Sequence, residues 1–221
     1  MQKIILGTSN PEKVEDIKYS ISVYSRNIFR NSEILTLSDI SDIYDIDIHD
    51  AEENGKTVEE NCMSKILTYK NILGKIDDLH KGLLISEDTG LFIKELDWNP
   101  GVHTARFAGD HDFNKLGKKV MELMNGVDDR YAFVKSAVGF TIIGYPELYT
   151  NIQSDYVEGS ISEYIYEGDG FSFDKIFHVK GYPTGVTLAE SCSKNKAVRL
   201  EIPRSKCIEF LLDKFRPFLE G

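Results

Sequence analysis

The chain has 221 residues, of which 41% are hydrophobic, enough for a core in one domain. Its 36 acidic and 26 basic residues give a net charge of −10, which disfavours nonspecific nucleic-acid binding because phosphate contacts need a basic surface. No stretch approaches the ~18 apolar residues of a membrane span, the first apolar run is too short for the hydrophobic region of a signal peptide, and three cysteines at unrelated spacings indicate ordinary reduced thiols. We therefore expect a soluble cytoplasmic protein that interacts with neither membranes nor nucleic acid.

Strands and helices alternate in the first part of the chain. Apolar runs and period-3.6 patterns, with capping residues before them, locate these elements. In chain order we predict a strand over 3–6, a helix from 11 to about 25, a strand over 33–37, an irregular acidic stretch over 39–53 with 45–48 open to an extended conformation, a helix from 57 to about 73 and a strand over 83–85.

The second part of the chain has longer extended segments. In chain order we predict a loop over 94–109, a helix over 113–123, an extended region over 131–165 broken in hairpin fashion at 144–147, a short helix within 187–194 and a last helix from 203 to about 218. This order of elements predicts an α/β protein with a mixed sheet.

A short polar turn follows the first predicted strand. Thr8, Ser9 and Asn10 are small polar residues. A helix that begins in such a turn directs backbone N–H groups and the positive end of its dipole outward, which suits a phosphate. Lys13 lies in the first helical turn and can add its ammonium charge. The GxxxxGK spacing of a P-loop is absent, so a plain strand-to-helix turn is the alternative.

Two adjacent carboxylates, Glu87 and Asp88, follow the predicted strand over 83–85. The carboxyl ends of strands in open α/β sheets face the ligand crevice. The pair is therefore placed to hold Mg²⁺, which prefers oxygen ligands, or to take a proton from an attacking water. A solvated turn is the alternative.

A second acidic segment, Glu52 and Glu53, precedes the helix that carries Asn61 and Lys65 on one face. Its carboxylates could complete a metal shell. Most charged pairs on helices are simply solvated, so this segment indicates little when it is taken alone.

An aromatic segment occupies residues 170–174. Phe171 could stack on a base, and Asp174 could contact polar atoms on the edge of that base. Burial of the aromatic rings in the core is the alternative.

Taken together and in this order, these segments resemble the inosine triphosphate pyrophosphatase family. That family begins with Thr-x-Asn-x-x-Lys, matched here by Thr8, Asn10 and Lys13. Its other motifs match Gly55, Thr57, Glu60, Asn61 and Lys65, and the segments 87–91, 100–109, 170–177 and 187–190. The six ordered blocks span essentially the whole chain.

The resemblance implies an elongated, two-lobed α/β fold around a central mixed β-sheet, with an active-site cleft between the lobes and one pyrophosphatase domain over residues 1–221. It implies Mg²⁺-dependent hydrolysis of deaminated purine nucleoside triphosphates (ITP, dITP and XTP) to the nucleoside monophosphate and pyrophosphate. A homodimer is the assembly that the family implies.

The roles of the family's residues carry over to matching positions. Asp88 is the expected general base with Glu87 in support, and Glu52 and Asp88 are the expected Mg²⁺ ligands, with Glu53 as the alternative to Glu52. Phe171 is expected to stack on the base. The expected substrate contacts are Thr8, Ser9, Asn10, Lys13, Lys65, Thr89, Phe171, Ser172, Phe173, Asp174, Lys194 and Arg204.

The chain departs from the family beside the base and before the last helix. Ser172 and Lys175 stand where the family has Gly and Pro. The family's Ser-His-Arg does not follow Lys194, so Arg204 is the candidate for the family arginine and Arg199 is the alternative. These departures predict altered or weaker base recognition.

Two other functions fit parts of this pattern. A Maf-like pyrophosphatase of other nucleotides shares the architecture, although the segment 171–174 favours purines. A catalytically weak nucleotide-binding protein fits the missing Ser-His-Arg, although a pure binder has no need of Glu87 and Asp88. Measuring turnover alongside nucleotide affinity distinguishes these functions.

Overall fold

The first feature of the fold is a mixed β-sheet. The computed structural model describes residues 3–25, 29, 32–107, 109, 113–146, 149–168, 170 and 172–219, without the side chains of residues 113, 114, 172 and 218. Its strands are β1 (Lys3–Gly7), β2 (Glu33–Thr36), β3 (Leu83–Ile93), β4 (Pro100–Gly101), β5 (Tyr131–Ile142), β6 (Asn151–Ile161) and β7 (Phe177–Val179). Within the described residues they form one sheet in the order β2-β1-β3-β5-β6-β7, with β4 paired to β3. β1 is parallel to β2 and β3, whereas β3–β4 and β6–β7 are antiparallel, which confirms the predicted α/β class with a mixed sheet.

The helices begin at side-chain caps. They are α1 (Pro11–Tyr24), α2 (Leu37–Tyr44), α3 (Val58–Leu73), α4 (Phe113–Leu123), α5 (Leu188–Lys194) and α6 (Pro203–Leu219). Asn10 caps α1 and Thr57 caps α3, each by accepting hydrogen bonds from N–H groups of the first helical turn. Among the described helices, none combines the length and the apolar character needed to cross a membrane.

The chain divides into two compact units. Unit 1 comprises Met1–Asp88, Ser136–Ser154 and Arg204–Gly221. Unit 2 comprises Thr89–Lys135 and Asp155–Pro203. The interpretation of residues 1–221 as a single pyrophosphatase domain, with a cleft between two lobes, stays a prediction.

Unit 1 has two hydrophobic clusters because side chains alternate along its strands. Ile4 and Leu6 of β1 belong to one cluster, and Ile5 belongs to the other. The first cluster includes Leu83, Ile85, Ile17 and Ile21 of α1, and Ile208, Leu211 and Leu212 of α6. The second includes Leu84, Ile40 of α2, and Ile66, Tyr69 and Leu73 of α3. This packing holds the carboxyl end of β1 and the middle of β3 in place.

Unit 2 has a hydrophobic cluster of its own. Leu91 and Ile93 of β3 and Ala132 and Val134 of β5 contribute strand side chains to it. The cluster also contains Leu116 and Val120 of α4, Leu188 of α5, Phe177 of β7, and Phe173 and Ile176. Phe173, a predicted substrate contact, is therefore a buried core residue in this unit.

The structure differs from the sequence prediction at α2. We predicted an irregular stretch from Asp39, but a helix begins one residue after Thr36. Thr36 accepts a hydrogen bond from the Asp39 N–H group, and the Asp39 carboxylate accepts one from the Thr36 N–H group, which is a capping box. Leu37 and Ile40 are buried, so tertiary packing stabilises a short helix despite its many aspartates.

Gly7 ends β1 at a point where it lies very close to β3. Gly7 and Ser86 are partners in the parallel register, and a Cβ at Gly7 would lie 2.3 Å from Ser86 Oγ and 3.0 Å from Tyr69 Cδ2. We expect Gly7→Ala to lower the free energy of unfolding by about 1–3 kcal/mol, the usual cost of overpacking, as measured by urea denaturation. Ser86→Ala is the control, since the buried Ser86 hydroxyl has no hydrogen-bond partner among the described residues and its loss should leave stability nearly unchanged. Wild-type stability of Gly7→Ala would contradict the steric argument.

Candidate active site

The turn after β1 is held by its own side chains. Thr8 Oγ1 accepts a hydrogen bond from the Asn10 N–H group (3.3 Å), and Asn10 Oδ1 accepts one from the Lys13 N–H group (3.2 Å). Ser9 is exposed, and its hydroxyl donates to Asp50 (3.1 Å). Because Asn10 already occupies N–H groups of the first turn, the Lys13 ammonium is the main positive charge that this turn supplies.

Glu87 of β3 is fully buried and lies between two cations. Lys13 Nζ is 2.5 Å from Glu87 Oε1, and Arg204 Nε is 3.2 Å from Glu87 Oε2. The Arg204 guanidinium also pairs with Asp16 of α1 at 2.7 Å. One carboxylate therefore connects β3 to a lysine of α1 and an arginine of α6.

Asp88, the next residue, is held by α3. Lys65 Nζ is 3.1 Å from Asp88 Oδ1, and the Asn61 amide donates to Asp88 Oδ2 at 3.1 Å. Asn61 and Lys65 are one turn apart, so they lie on one face of α3. Asn61 Oδ1 accepts the Gly55 N–H group (2.8 Å), which leaves its NH₂ group to donate to Asp88.

The structure distinguishes between the two neighbouring glutamates. Glu53 Oε1 is 2.6 Å from Lys65 Nζ, so its carboxylate shares this ammonium with Asp88. Glu52 is exposed, and its carboxylate accepts a hydrogen bond from the Asn54 side chain. Glu53, the alternative to Glu52, is therefore the glutamate that shares a cation with Asp88, while Glu52 as a metal ligand stays a prediction.

The two adjacent carboxylates differ in their electrostatic environment. Burial opposes ionisation of Glu87, but the charges of Arg204, Lys13 and Lys65 outweigh it and hold the Glu87 pKa far below its ordinary value. Burial raises the pKa of Asp88, against the opposing charges of Lys65 and Lys13. Burial lowers the pKa of Lys65, but the charges of Asp88, Glu53 and Glu87 together raise it above the ordinary lysine value. Glu87 is thus a permanent anion at neutral pH.

The chemistry of this cluster suits a hard cation. The Lys65 ammonium contacts oxygens of Glu53, Asp88 and the Glu87 carbonyl, at 2.6, 3.1 and 3.1 Å. These are carboxylate and carbonyl oxygens, the donors that Mg²⁺ prefers. In the described part of the chain, no group of three or more Asp, Glu, His or Cys side chains is arranged to hold a metal ion.

The predicted base-contacting residues belong to unit 2. Asp174 is buried and forms an ion pair with Arg199, while the Lys194 ammonium lies 2.8 Å from Glu190 with a side chain that is 65% exposed. Thr89 is half-buried. Phe171 and the side chain of Ser172 lie outside the described residues.

Sequence reasoning missed Asp16 and left the two arginines undecided. Asp16 lies three residues after Lys13 on α1, a spacing that places both on one face and could have indicated a shared partner. The structure pairs Arg204 with Glu87 in unit 1 and Arg199 with Asp174 in unit 2. Arg199 therefore contacts the predicted base-reading carboxylate, and Arg204 contacts the predicted catalytic segment.

The fold and the site define an α/β protein whose charged cluster lies where β1 ends and its parallel pairing with β3 stops, at the carboxyl end of β1, the kind of place where such proteins bind ligands. The chain belongs to the Ham1 family, whose sequence profile matches residues 4–200. This match confirms the resemblance seen in the motifs.

Relatives of similar length support the family membership. A protein named dITP/XTP pyrophosphatase from Caldanaerobacter subterraneus subsp. tengcongensis is 32% identical over 199 residues, which cover 89% of this chain and 88% of the relative. A protein of the same name from Christiangramia forsetii is 32% identical over 211 residues, covering 95% and 98%. The solved structure of the Staphylococcus aureus Ham1 protein matches with a TM-score of 0.72 and 25% identity, covering 98% of this chain and 99% of that one.

Proposed function

We propose that this protein hydrolyses deaminated purine nucleoside triphosphates (ITP, dITP and XTP) to the nucleoside monophosphate and pyrophosphate with the help of Mg²⁺. The observation that carries the proposal is the cluster in which Lys13, Lys65 and two adjacent carboxylates meet in the middle of β3, beside the carboxyl end of β1. The relatives named dITP/XTP pyrophosphatase support the activity and the substrate class.

The triphosphate is assigned to the turn after β1 and to α3. Lys13 and Lys65 supply positive charge, and Thr8, Ser9 and Asn10 supply polar groups around Lys13. Both ammonium groups are paired with carboxylates in the structure, so their charges are already partly neutralised. A polyanionic substrate therefore needs additional positive charge in order to bind here.

Glu53 and Asp88 are the residues that would hold Mg²⁺. When bound, the ion neutralises charge that develops on the phosphate oxygens during phosphoryl transfer. Both carboxylates pair with the Lys65 ammonium in the structure, and this closeness of their oxygens to one positive charge supports the assignment. Lys65 would then share these carboxylates with the ion, and its ammonium would be more available to the phosphates.

Asp88 is the proposed general base. The oxygen of a water molecule bonds to the α-phosphorus as its proton passes to Asp88, and the bridging oxygen leaves with pyrophosphate as the α–β bond breaks. Hydrogen bonds from Asn61 and Lys65 hold the two Asp88 oxygens in place. Glu87 keeps its negative charge and serves as an electrostatic support for Lys13.

Base selectivity is assigned to unit 2. Asp174 remains the proposed reader of the base edge, with Arg199 as the cation beside it, and Phe171 remains the proposed stacking residue. Hypoxanthine and xanthine carry a 6-oxo acceptor where adenine carries an amino donor. A buried donor left unsatisfied costs about 1–3 kcal/mol, so a cationic donor at this edge disfavours ATP.

The test is pyrophosphate release from ITP, XTP, GTP, ATP and dTTP, with Mg²⁺ and with excess EDTA. We expect rapid release from ITP and XTP that EDTA abolishes. Equal turnover of all five nucleotides would remove the purine selectivity and leave a general pyrophosphatase. Nucleotide binding without turnover would favour a nucleotide-binding protein, and undiminished activity in EDTA would contradict the metal role.

A homodimer and a cytoplasmic location complete the proposal. The dimer rests on the family resemblance, and light scattering after size-exclusion chromatography would test it, with a monomeric mass contradicting it. The location rests on the sequence and stays a prediction.

A further inference from the structure

Lys13 and Arg204 both form ion pairs with the Glu87 carboxylate, each with a different oxygen. Lys13 lies at Glu87 Oε1 and Arg204 at Glu87 Oε2. Their side chains differ in exposure, at 15% for Lys13 and 4% for Arg204. Lys13 is therefore the more exposed of the two cations, whereas Arg204 is almost fully buried beside Glu87.

The position of Arg204 is built into the packing of α6 on α1. The hydroxyl groups of Ser205 and Ser20, both fully buried, lie 2.8 Å apart, and the Arg204 guanidinium pairs with Asp16 of α1. Arg204, the second residue of α6, is therefore held beside Glu87, and its positive charge is shared between Glu87 and Asp16.

We propose that Arg204 is a positioning residue that sets how strongly Glu87 holds Lys13, and thereby how readily Lys13 binds the phosphates of a ligand. The inference rests on the proposed role of Lys13. Arg204 offsets part of the Glu87 charge, so less of that charge acts on the Lys13 ammonium. Without Arg204, the buried Glu87 depends mainly on Lys13, and a phosphate must compete harder for this lysine.

The same charges predict an opposite effect at Asp16. Asp16 draws Arg204 away from Glu87, so neutral Asp16 leaves the whole guanidinium charge to Glu87. The hold of Glu87 on Lys13 then weakens. Asp16→Asn is expected to strengthen phosphate binding while Arg204→Gln weakens it, although both changes break the same ion pair.

The experiment is calorimetric titration with inorganic triphosphate at a fixed Mg²⁺ concentration. We expect Arg204→Gln to raise Kd about tenfold, equivalent to ~1.4 kcal/mol, and Asp16→Asn to lower Kd. Arg204→Lys should recover part of the loss, since it restores the charge. Arg216→Gln, which removes an exposed pair with Asp213 on the same helix, is the matched control and should leave Kd unchanged.

A double-variant cycle separates positioning from general damage. In a Lys13→Gln background, Arg204→Gln should have almost no further effect on Kd, because its effect passes through Lys13. Additive effects, or an unchanged Kd in folded Arg204→Gln, would overturn the inference. If circular dichroism shows that Arg204→Gln is unfolded, the Asp16→Asn variant serves as the test. A raised Kd for triphosphate in Asp16→Asn would then overturn the inference. Unaltered triphosphate binding by Lys13→Gln alone would contradict the proposed function rather than this inference.

Discussion

Replacing Asp88 by asparagine is expected to lower kcat for ITP by about 10²–10⁴-fold, the usual contribution of a general base. The side chain keeps its shape and can still pack beside Asn61 and Lys65, but it can no longer accept a proton. Lys65 retains its ion pair with Glu53, so the variant is expected to fold. Steady-state kinetics measures the loss, and thermal unfolding checks the fold.

Two further variants, Glu53→Gln and Glu52→Gln, help to separate metal binding from proton transfer. Glu53→Gln should raise the Mg²⁺ concentration needed for half-maximal activity, whereas Glu52→Gln removes an exposed neighbouring carboxylate and should behave like the wild type. Recovery of Asp88→Asn turnover by excess Mg²⁺ would show that metal binding, not proton transfer, is the main role of Asp88. Full turnover under ordinary conditions would contradict both roles.

Replacing Glu87 by glutamine is expected to lower the free energy of unfolding by about 3–5 kcal/mol, the usual cost of breaking a buried ion pair from one side. Glutamine matches glutamate in size, so the loss reports charge and not packing. Lys13 and Arg204 would then lie beside a neutral amide in a buried position. Urea denaturation measures the change.

Glu158→Gln provides the comparison for this prediction. Glu158 pairs with Lys180 at 2.7 Å, but both side chains are substantially exposed, and surface pairs contribute little to stability. We expect its unfolding curve to overlay that of the wild type. Equal stability of the Glu87 and Glu158 variants would show that burial does not make the Glu87 pairs important.

Most of the fold could be predicted from local patterns. The caps at Asn10 and Thr57 predicted α1 and α3, and the extended region broken near residue 144 corresponds to β5 and β6. The apolar run at Leu83 predicted only the start of β3, which continues to Ile93 because the chain after the run stays paired in the sheet. The helix α2 was missed because its aspartates resemble a loop. Strand β7, at Phe177–Val179, was missed because three residues are too few to show a period.

The site could be predicted as a set of segments but not as a set of contacts. The motifs singled out Lys13, Lys65 and the Glu87-Asp88 pair, and the structure places these side chains in one cluster. The pairing of each carboxylate with a particular cation depends on helices that are distant in sequence. No local pattern contains that information.

The sequence by itself determined the long helices, the capped turn before α1 and the adjacent carboxylates that follow the apolar start of β3, because these depend on neighbouring residues. Only the tertiary structure paired Glu53 rather than Glu52 with Lys65, since the direction of each side chain in an irregular segment depends on what packs against it. It also placed Arg204 at Glu87 and Arg199 at Asp174. The ionisation of Glu87 was decided in the same way, because burial favours the neutral acid and only the three cations brought to it by α1, α3 and α6 reverse that preference.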